Sequence, residues 1–439
     1  MRIDIFNKDW IKAFHDNSKK IVKSGVLSGM KKFIQNDGAY LIKLLPFPLV
    51  FEKNEYERLV SAAKKLTTSQ TKIIDYLCKK NSKEYLLDIF GIPKELQEFI
   101  NWEELVTNKY QISRFDIVPS NNGYKFCEFN FGSNVGASED FYLFEKYLRA
   151  LSLDVAQPKQ SPYYKKALLL KKLVDTYDIE NIVILINSKY RYLGYVSSEL
   201  LERHIKEILP EVTITTEDET TYPKKLLCEE NGCKTLVYQQ FLMNDIAEHK
   251  VFFGELLASK AQLICSLTAN IRTNKYWFSI FHQLQYQKLL DSDEIEIINK
   301  YIPYTFKLSN QNVEHALLEK DVYVFKKNNS LGGGGILIGN ETEADVLINE
   351  LYQTDIDEWT AQELVNFNGI KLPYSIDGTD ELSNIVFGLF LIGNSAIGMD
   401  VRASNSSKVV NVSTGSYSGW AFPVSEKKKK EILNELVQE

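Results

Sequence analysis

The stretch Tyr110–Phe131, YQISRFDIVPSNNGYKFCEFNF, decides how this sequence is read. Polar and apolar residues alternate on both sides of Pro-Ser-Asn-Asn-Gly, the pattern of two strands joined by a tight turn. Asn121-Asn122-Gly123 suits a three-residue loop with Gly123 in the left-handed region. A loop centred on Asn122 sets Asp116 opposite Glu128 and Arg114 opposite Asn130. Alternation puts Arg114 and Asp116 on one face of the first strand, and Tyr124, Phe126, Glu128 and Asn130 on one face of the second. Opposed carboxylates repel, and one pKa rises unless a cation sits between them. Oxygen donors of this kind suit a Mg2+ ion that also holds substrate phosphates, and Arg114 suits a phosphoryl group. The same residues equally describe the solvent-facing side of an edge hairpin carrying a surface ion pair.

Outward from the hairpin, the first hundred residues read as mostly helical, with apolar residues at helical spacing in EYERLVSAAKKL and SKEYLLDIFGI. AYLIKLLPFPLVF (Ala39–Phe51) must be extended, because its two prolines exclude a continuous helix. After the hairpin, NIVILINS and SSELLERHIKEILPEVTITT read strand, loop, helix, strand, a small parallel α/β unit. A helical zone follows. Strands return in VYVFKKN, GGILIGN, WTAQELV, SNIVFGLFLIG, IGMDVRAS and KVVNVST. The expectation is a mixed α/β protein in four regions: helical 1–105, the hairpin in 106–160, the α/β unit in 161–265, and the remaining sheets in 266–439.

Composition narrows the function. The 439 residues include 52 Lys and Arg against 58 Asp and Glu, a net charge of −6. That balance argues against a nucleic-acid or anionic-membrane surface, which needs an excess of cations. No apolar run approaches the roughly 20 residues that span a bilayer. Five scattered cysteines suit reduced thiols, and a cytoplasmic protein is expected. Cys228 and Cys233 approach zinc-ligand spacing, but no second Cys or His pair stands near them, so two incidental thiols are the better reading. Cys127 is expected to pack as a small hydrophobe on the opposite hairpin face. An aromatic content of 12% is read as core and interface, and is compatible with a homodimer.

The segment KKNNSLGGGGILIG (Lys326–Gly339) sets Gly332, Gly333, Gly334 and Gly335 between two strand-like stretches. No Gly-Lys-Ser/Thr follows and no helix opens there, which excludes a Walker A loop and a dinucleotide-binding fingerprint. What remains is a hairpin tip whose bare N–H groups can close over phosphates, with Lys326 as a nearby charge, or else a surface hairpin with no ligand.

Taken together these segments resemble the ATP-grasp superfamily, in its circularly permuted, glutathionylspermidine synthetase-like branch. Arg114-Phe115-Asp116 with Glu128-Phe129-Asn130 is similar to that branch's R-x-D…E-x-N signature. The resemblance implies Mg2+ (two ions) at Asp116, Glu128 and Asn130, and Arg114 at the transferred phosphoryl group. Thr273-Asn274-Lys275 followed by EIINKYIPYTFKL resembles a family segment whose lysine binds ATP phosphate, here Lys275. Lys326 looks like the second ATP-binding lysine and the tetraglycine like the lid. WTAQELV resembles the hinge that meets adenine through Gln362, Glu363 and the backbone at Leu364 and Val365. GMDVRAS…VVNVSTGS is similar to the closing segment, with Arg402 and Asn411. The α/β unit would be a Rossmann-like pre-ATP-grasp domain. The stretch after the hairpin, GSNVGASED, and the lack of a basic residue within the glycines depart from the family; no added amidase domain is expected, so the particular substrates of glutathionylspermidine synthetase are not carried over.

The resemblance implies an ATP-dependent carboxylate–amine ligase acting through an acyl phosphate on small-molecule or peptide substrates. The alternatives are a small-molecule kinase on the same scaffold and a nucleotide-binding module without chemistry. The acceptor pocket is expected from the α/β unit and the loops Gly132–Asp140 and Asn187–Tyr195; Arg191 could meet a substrate carboxylate, though a solvent-facing arginine is the better reading.

Overall fold

The computed structural model describes residues 3–23, 43–80, 82–108, 111–133, 135–153, 160–222, 234–264, 267–330, 334–375, 378–412 and 415–438. Cys228 and Cys233, with Gly332 and Gly333, lie outside these residues, as does the side chain of Arg191.

The N-terminal region is helical around two short strands, β1 (Lys43–Leu44) and β2 (Leu49–Glu52). The 28-residue helix Lys53–Lys80 buries Tyr56, Leu59, Ala63, Leu66, Ile73 and Leu77, one apolar stripe at helical spacing. Helix Lys83–Phe90 starts where Ser82 accepts the N–H of Tyr85 and stops at Gly91, whose φ of 61° only glycine adopts without strain. Then come β3 (Ile112–Ser120) and β4 (Gly123–Phe131), the expected hairpin.

Four parallel strands follow: β5 (Asn181–Ile186), β6 (Thr213–Asp218), β7 (Thr235–Gln239) and β8 (Gln262–Ile264), in spatial order β6-β5-β7-β8. Ile182 to Ile186 are buried without interruption, as a parallel strand covered on both faces requires. This sheet falls within the α/β stretch read from the sequence.

A second four-stranded sheet, in order β11-β10-β12-β9, comprises β9 (Thr305–Lys307), β10 (Tyr323–Lys327), β11 (Ile336–Ile338) and β12 (Trp359–Glu363). It has its own small core of Leu308, Phe325, Leu347, Leu351, Trp359 and Ala361. The last strands, β13 (Ile370–Pro373), β14 (Asp380–Ile392), β15 (Ser395–Ser404) and β16 (Tyr417–Val424), rejoin the first four. The resulting eight-stranded sheet runs β1-β16-β15-β14-β3-β4, with β13 on β14 and β2 on β16. The hairpin and the C-terminal strands are therefore parts of one sheet.

One expectation changes. KVVNVST forms no strand over its described residues 408–412. Ser404 and Ser407 accept the N–H groups of Ser406, Ser407 and Val409 through their hydroxyls, which turns the chain. Conversely β16, broken in sequence by Gly419 and Pro423, is a strand because Trp420 and Phe422 pack on Phe141 of helix Ser138–Ala150. Among the described residues, no helix is long and apolar enough to cross a membrane.

Candidate functional site

The hairpin pairs Asp116 with Glu128 and Arg114 with Asn130, as expected, by a different route. Ser120 pairs with Gly123, so the tip holds two residues instead of three, and an irregularity between Asp116 and Ile117 leaves Cys127 as an extra residue on β4. The bulge restores the pairing that the shorter tip would have shifted. It also moves Phe126 to the other face: Phe126, Phe129 and Phe131 all pack on Phe115. Phe126 therefore does not share a face with Glu128 and Asn130. Nor does Cys127 sit away from the site, because its thiol donates to the Asp116 carbonyl. Burial pushes that thiol up to about 12, so it is an inert neutral group.

Each hairpin carboxylate has a cation supplied by the chain. Asp116, 2% exposed, accepts Arg114 Nε at 2.9 Å on Oδ1. Arg402 Nη2 lies 2.7 Å from the same oxygen. Burial raises the Asp116 pKa, and the charges of Arg114 and Arg402 outweigh it, leaving the carboxyl below its ordinary value. Glu128 takes Lys275 Nζ at 2.9 Å. The repulsion that the sequence assigned to a bridging metal is thus answered by two arginines and a lysine. Asn130 donates through Nδ2 to the Arg114 carbonyl at 3.3 Å.

Lys326 is the centre of the second group. It is buried, and its Nζ donates to the Cys127 carbonyl at 2.7 Å and to Gln362 Oε1 at 2.6 Å. Burial lowers its pKa. Gln362 passes the contact on to the Thr305 hydroxyl. Lys275 also donates to the Ser330 carbonyl at the base of the glycine loop, and its N–H bonds the Asn328 carbonyl. Asn274 donates to the side chain of Asn329, which itself donates to the Phe90 carbonyl. The described end of the loop is a tight turn: Gly335 has φ +65°, and a Cβ there would lie 2.8 Å from Lys327 Cβ. ILI after it is the strand β11, as the sequence reading requires.

The segment that resembles an adenine hinge has only part of its backbone free. Leu364 N–H is spent on Val322 O, and Glu363 N–H on Tyr304 O. Glu363, Leu364 and Val365 nonetheless line a cavity of about 700 Å³ with the hairpin tip Pro119–Lys125, Tyr301 and Pro303. Lys326 and Gln362 are not among its lining residues, being engaged with each other one layer in. Asn411 lies just beyond β15, where its carbonyl accepts Ser416 N–H.

Two further residues were missed in the sequence. Asp400, on β15, is completely buried, with Arg402 Nε 3.2 Å from Oδ2 and Arg114 Nε 3.7 Å from Oδ1. These are close ion-pair contacts without hydrogen-bond alignment. Gly388 on β14 pairs with Asp116 on one side and Asp400 on the other. A Cβ at Gly388 would stand 1.7 Å from Asp400 Oδ1 and 2.4 Å from Arg114 Cδ. A glycine inside the apolar run SNIVFGLFLIG was the available signal, since such a residue marks close approach. Asp400 shares its face with Arg402 two residues on.

For a divalent cation, the donor chemistry fits: two carboxylates and an amide on adjacent same-face positions of a hairpin, all hard oxygen ligands. Among the described residues, no group of three or more Asp, Glu, His or Cys side chains is placed to hold a metal ion. Such an ion would therefore depend on substrate oxygens to fill its shell.

No family profile matches the sequence, and no curated protein matches it. Among solved structures, it is similar to a glutathione synthetase-like effector from Globodera pallida in its apo form. That match has a TM-score of 0.60 at 13% identity and covers 94% of this chain and 98% of the other. A Methylobacillus flagellatus protein provisionally described as a gamma-glutamylcysteine synthetase gives 0.41 at 11% identity, over 84% of this chain and 93% of that one. The first match shows a shared fold: this chain has a mixed α/β, glutathione synthetase-like architecture. The second is too distant to carry an argument.

Proposed function

We propose that this protein is an ATP-dependent ligase that joins a carboxylate to an amine through an acyl phosphate, releasing ADP and phosphate. The observation that supports it is the meeting of four segments remote in sequence. Lys326 joins the hairpin to the hinge strand through Cys127 and Gln362, and Lys275 joins Glu128 to the base of the glycine loop. Two lysines at the described base of a glycine-rich segment, beside paired carboxylates and arginines, suit a nucleotide triphosphate being attacked by an anion.

A free carboxylate resists an amine because it is negatively charged and has no good leaving group. Attack of its oxygen on the γ-phosphorus, with loss of ADP, removes both obstacles. The amine then displaces phosphate. In this reading Lys275 and Lys326 bind nucleotide phosphates, and Arg114 and Arg402 stabilise charge on the transferred group. Glu128 and Asn130, with Asp116, would hold Mg2+, which when bound neutralises phosphate charge. Glu363, Leu364 and Val365 would border the adenine in the cavity they line. The glycine loop would shield the acyl phosphate from water.

The test is incubation with ATP, Mg2+, hydroxylamine and a panel of acids. Acid-dependent ADP release with a hydroxamate product supports the ligase. A stable phosphorylated product without hydroxamate indicates a kinase, and nucleotide binding without turnover indicates a non-catalytic module. Glu128→Ala is expected to abolish turnover while the far-ultraviolet dichroism stays native.

A further inference from the structure

Five strand positions form one row across the large sheet: Trp420, Asp400, Gly388, Asp116 and Glu128, each paired with the next. Arg114 and Arg402 reach into this row and contact both Asp116 and Asp400. Two guanidinium groups thus face two carboxyl groups. Yet the carboxylates are used unequally. Asp116 takes aligned hydrogen bonds from Arg114 Nε at 2.9 Å and Nη2 at 3.4 Å, with Arg402 Nη2 an unaligned ion pair at 2.7 Å, whereas neither oxygen of Asp400 has an aligned hydrogen bond.

A fully buried carboxylate without aligned donors is costly unless it serves a purpose. Its place is made at the expense of a side chain at Gly388. Asp116, however, is also the residue expected to face a cation with Glu128. If it turned from its arginines to do so, the partly buried Arg114 and the buried Arg402 would be left without Asp116, and Asp400 is the other carboxylate in ion-pair contact with both.

We infer that Asp400 is a positioning residue: its carboxylate, housed by Gly388, retains Arg114 and Arg402 so that Asp116 can turn from them to a nucleotide-bound cation. This rests on the nucleotide reading above. It adds a role to a residue outside the cation's own ligands, and it explains why the arginines have two acids within reach and not one.

The experiment is calorimetric titration of the full chain with ADP, once in EDTA and once across a Mg2+ series. The wild-type chain and Asp400→Asn, which preserves shape and removes charge, are compared. The expected result is that Asp400→Asn keeps the affinity for ADP in EDTA and loses roughly 10–100-fold in apparent Mg2+ affinity, the scale typical of outer-shell partners. A purely structural role would weaken both titrations together or neither. Asp400→Ser, which removes the charge with a smaller polar side chain, is expected to show the same selective loss and serves if Asp400→Asn does not fold. Unchanged Mg2+ affinity in a folded variant overturns the inference while leaving the nucleotide reading intact. Absence of ADP binding to the wild type overturns that reading, and the inference with it.

Discussion

The ammonium of Lys326 lies 2.7 Å from the carbonyl oxygen of Cys127, a residue 199 positions earlier in the chain. Cys127 is the bulged residue of the hairpin, so its carbonyl is released from the regular ladder and free to receive that contact. One irregularity thereby keeps Asp116 opposite Glu128 and docks the small sheet carrying the glycine loop onto the large one.

Asp116 holds two arginines in a buried setting, so its loss is costly. Asp116→Ala is expected to destabilise the fold by about 3–5 kcal/mol, the usual cost of stranding a buried charge partner. Because its folded pKa is depressed, the Asp116 contribution is present above the ordinary carboxyl value and lost as pH falls through the depressed one. Urea unfolding at neutral and acid pH measures both effects. A wild-type midpoint in the variant would contradict them.

Asp140 behaves oppositely. Burial lifts its pKa well above 3.8, against the Ser418 hydroxyl that donates to Oδ2. The native state binds this proton more tightly than the unfolded chain, so its contribution declines as pH rises from about 4 through the lifted value. Asp140→Asn is expected to gain stability relative to wild type as pH rises across that window. Parallel urea-midpoint profiles for the two proteins would refute this.

Gly335 closes the glycine turn with φ +65° and has Lys327 and Ser330 against the position of a Cβ. Gly335→Ala is expected to cost about 1 kcal/mol or more locally through the left-handed backbone alone. The readout is faster amide exchange in Tyr323–Lys327 and Ile336–Ile338 with the large sheet unaffected. Uniform exchange across the protein would show that the turn is not a local element.

The hairpin was legible because alternation and Asn-Asn-Gly are local signals. Its bulge was not: nothing within YKFCEF shows that Phe126 must join Phe129 on Phe115. The right pairing followed from two errors of one residue that cancelled. Lys275, Lys326 and Gln362 were singled out with the help of segment resemblance, and the contacts of Lys275 with Glu128 and of Lys326 with Gln362 depend on sheet packing that no local pattern encodes. Asp400 escaped for a related reason. Within IGMDVRAS it reads as one polar residue in an alternating strand, and only the neighbouring Gly388 and Arg114 show that it is enclosed. KVVNVST misled because β-branched content was weighed without the serines that turn the chain before it.

The claim that the hairpin, two lysines and the glycine loop form one nucleotide site is tested most directly by titrating Mg·ADP into the wild type and into Lys326→Met. Wild-type binding with a loss of roughly 10–100-fold in the variant is predicted, the scale of a hydrogen bond to a charged group. Equal affinity of two folded proteins for Mg·ADP, or no binding to the wild type, would contradict it.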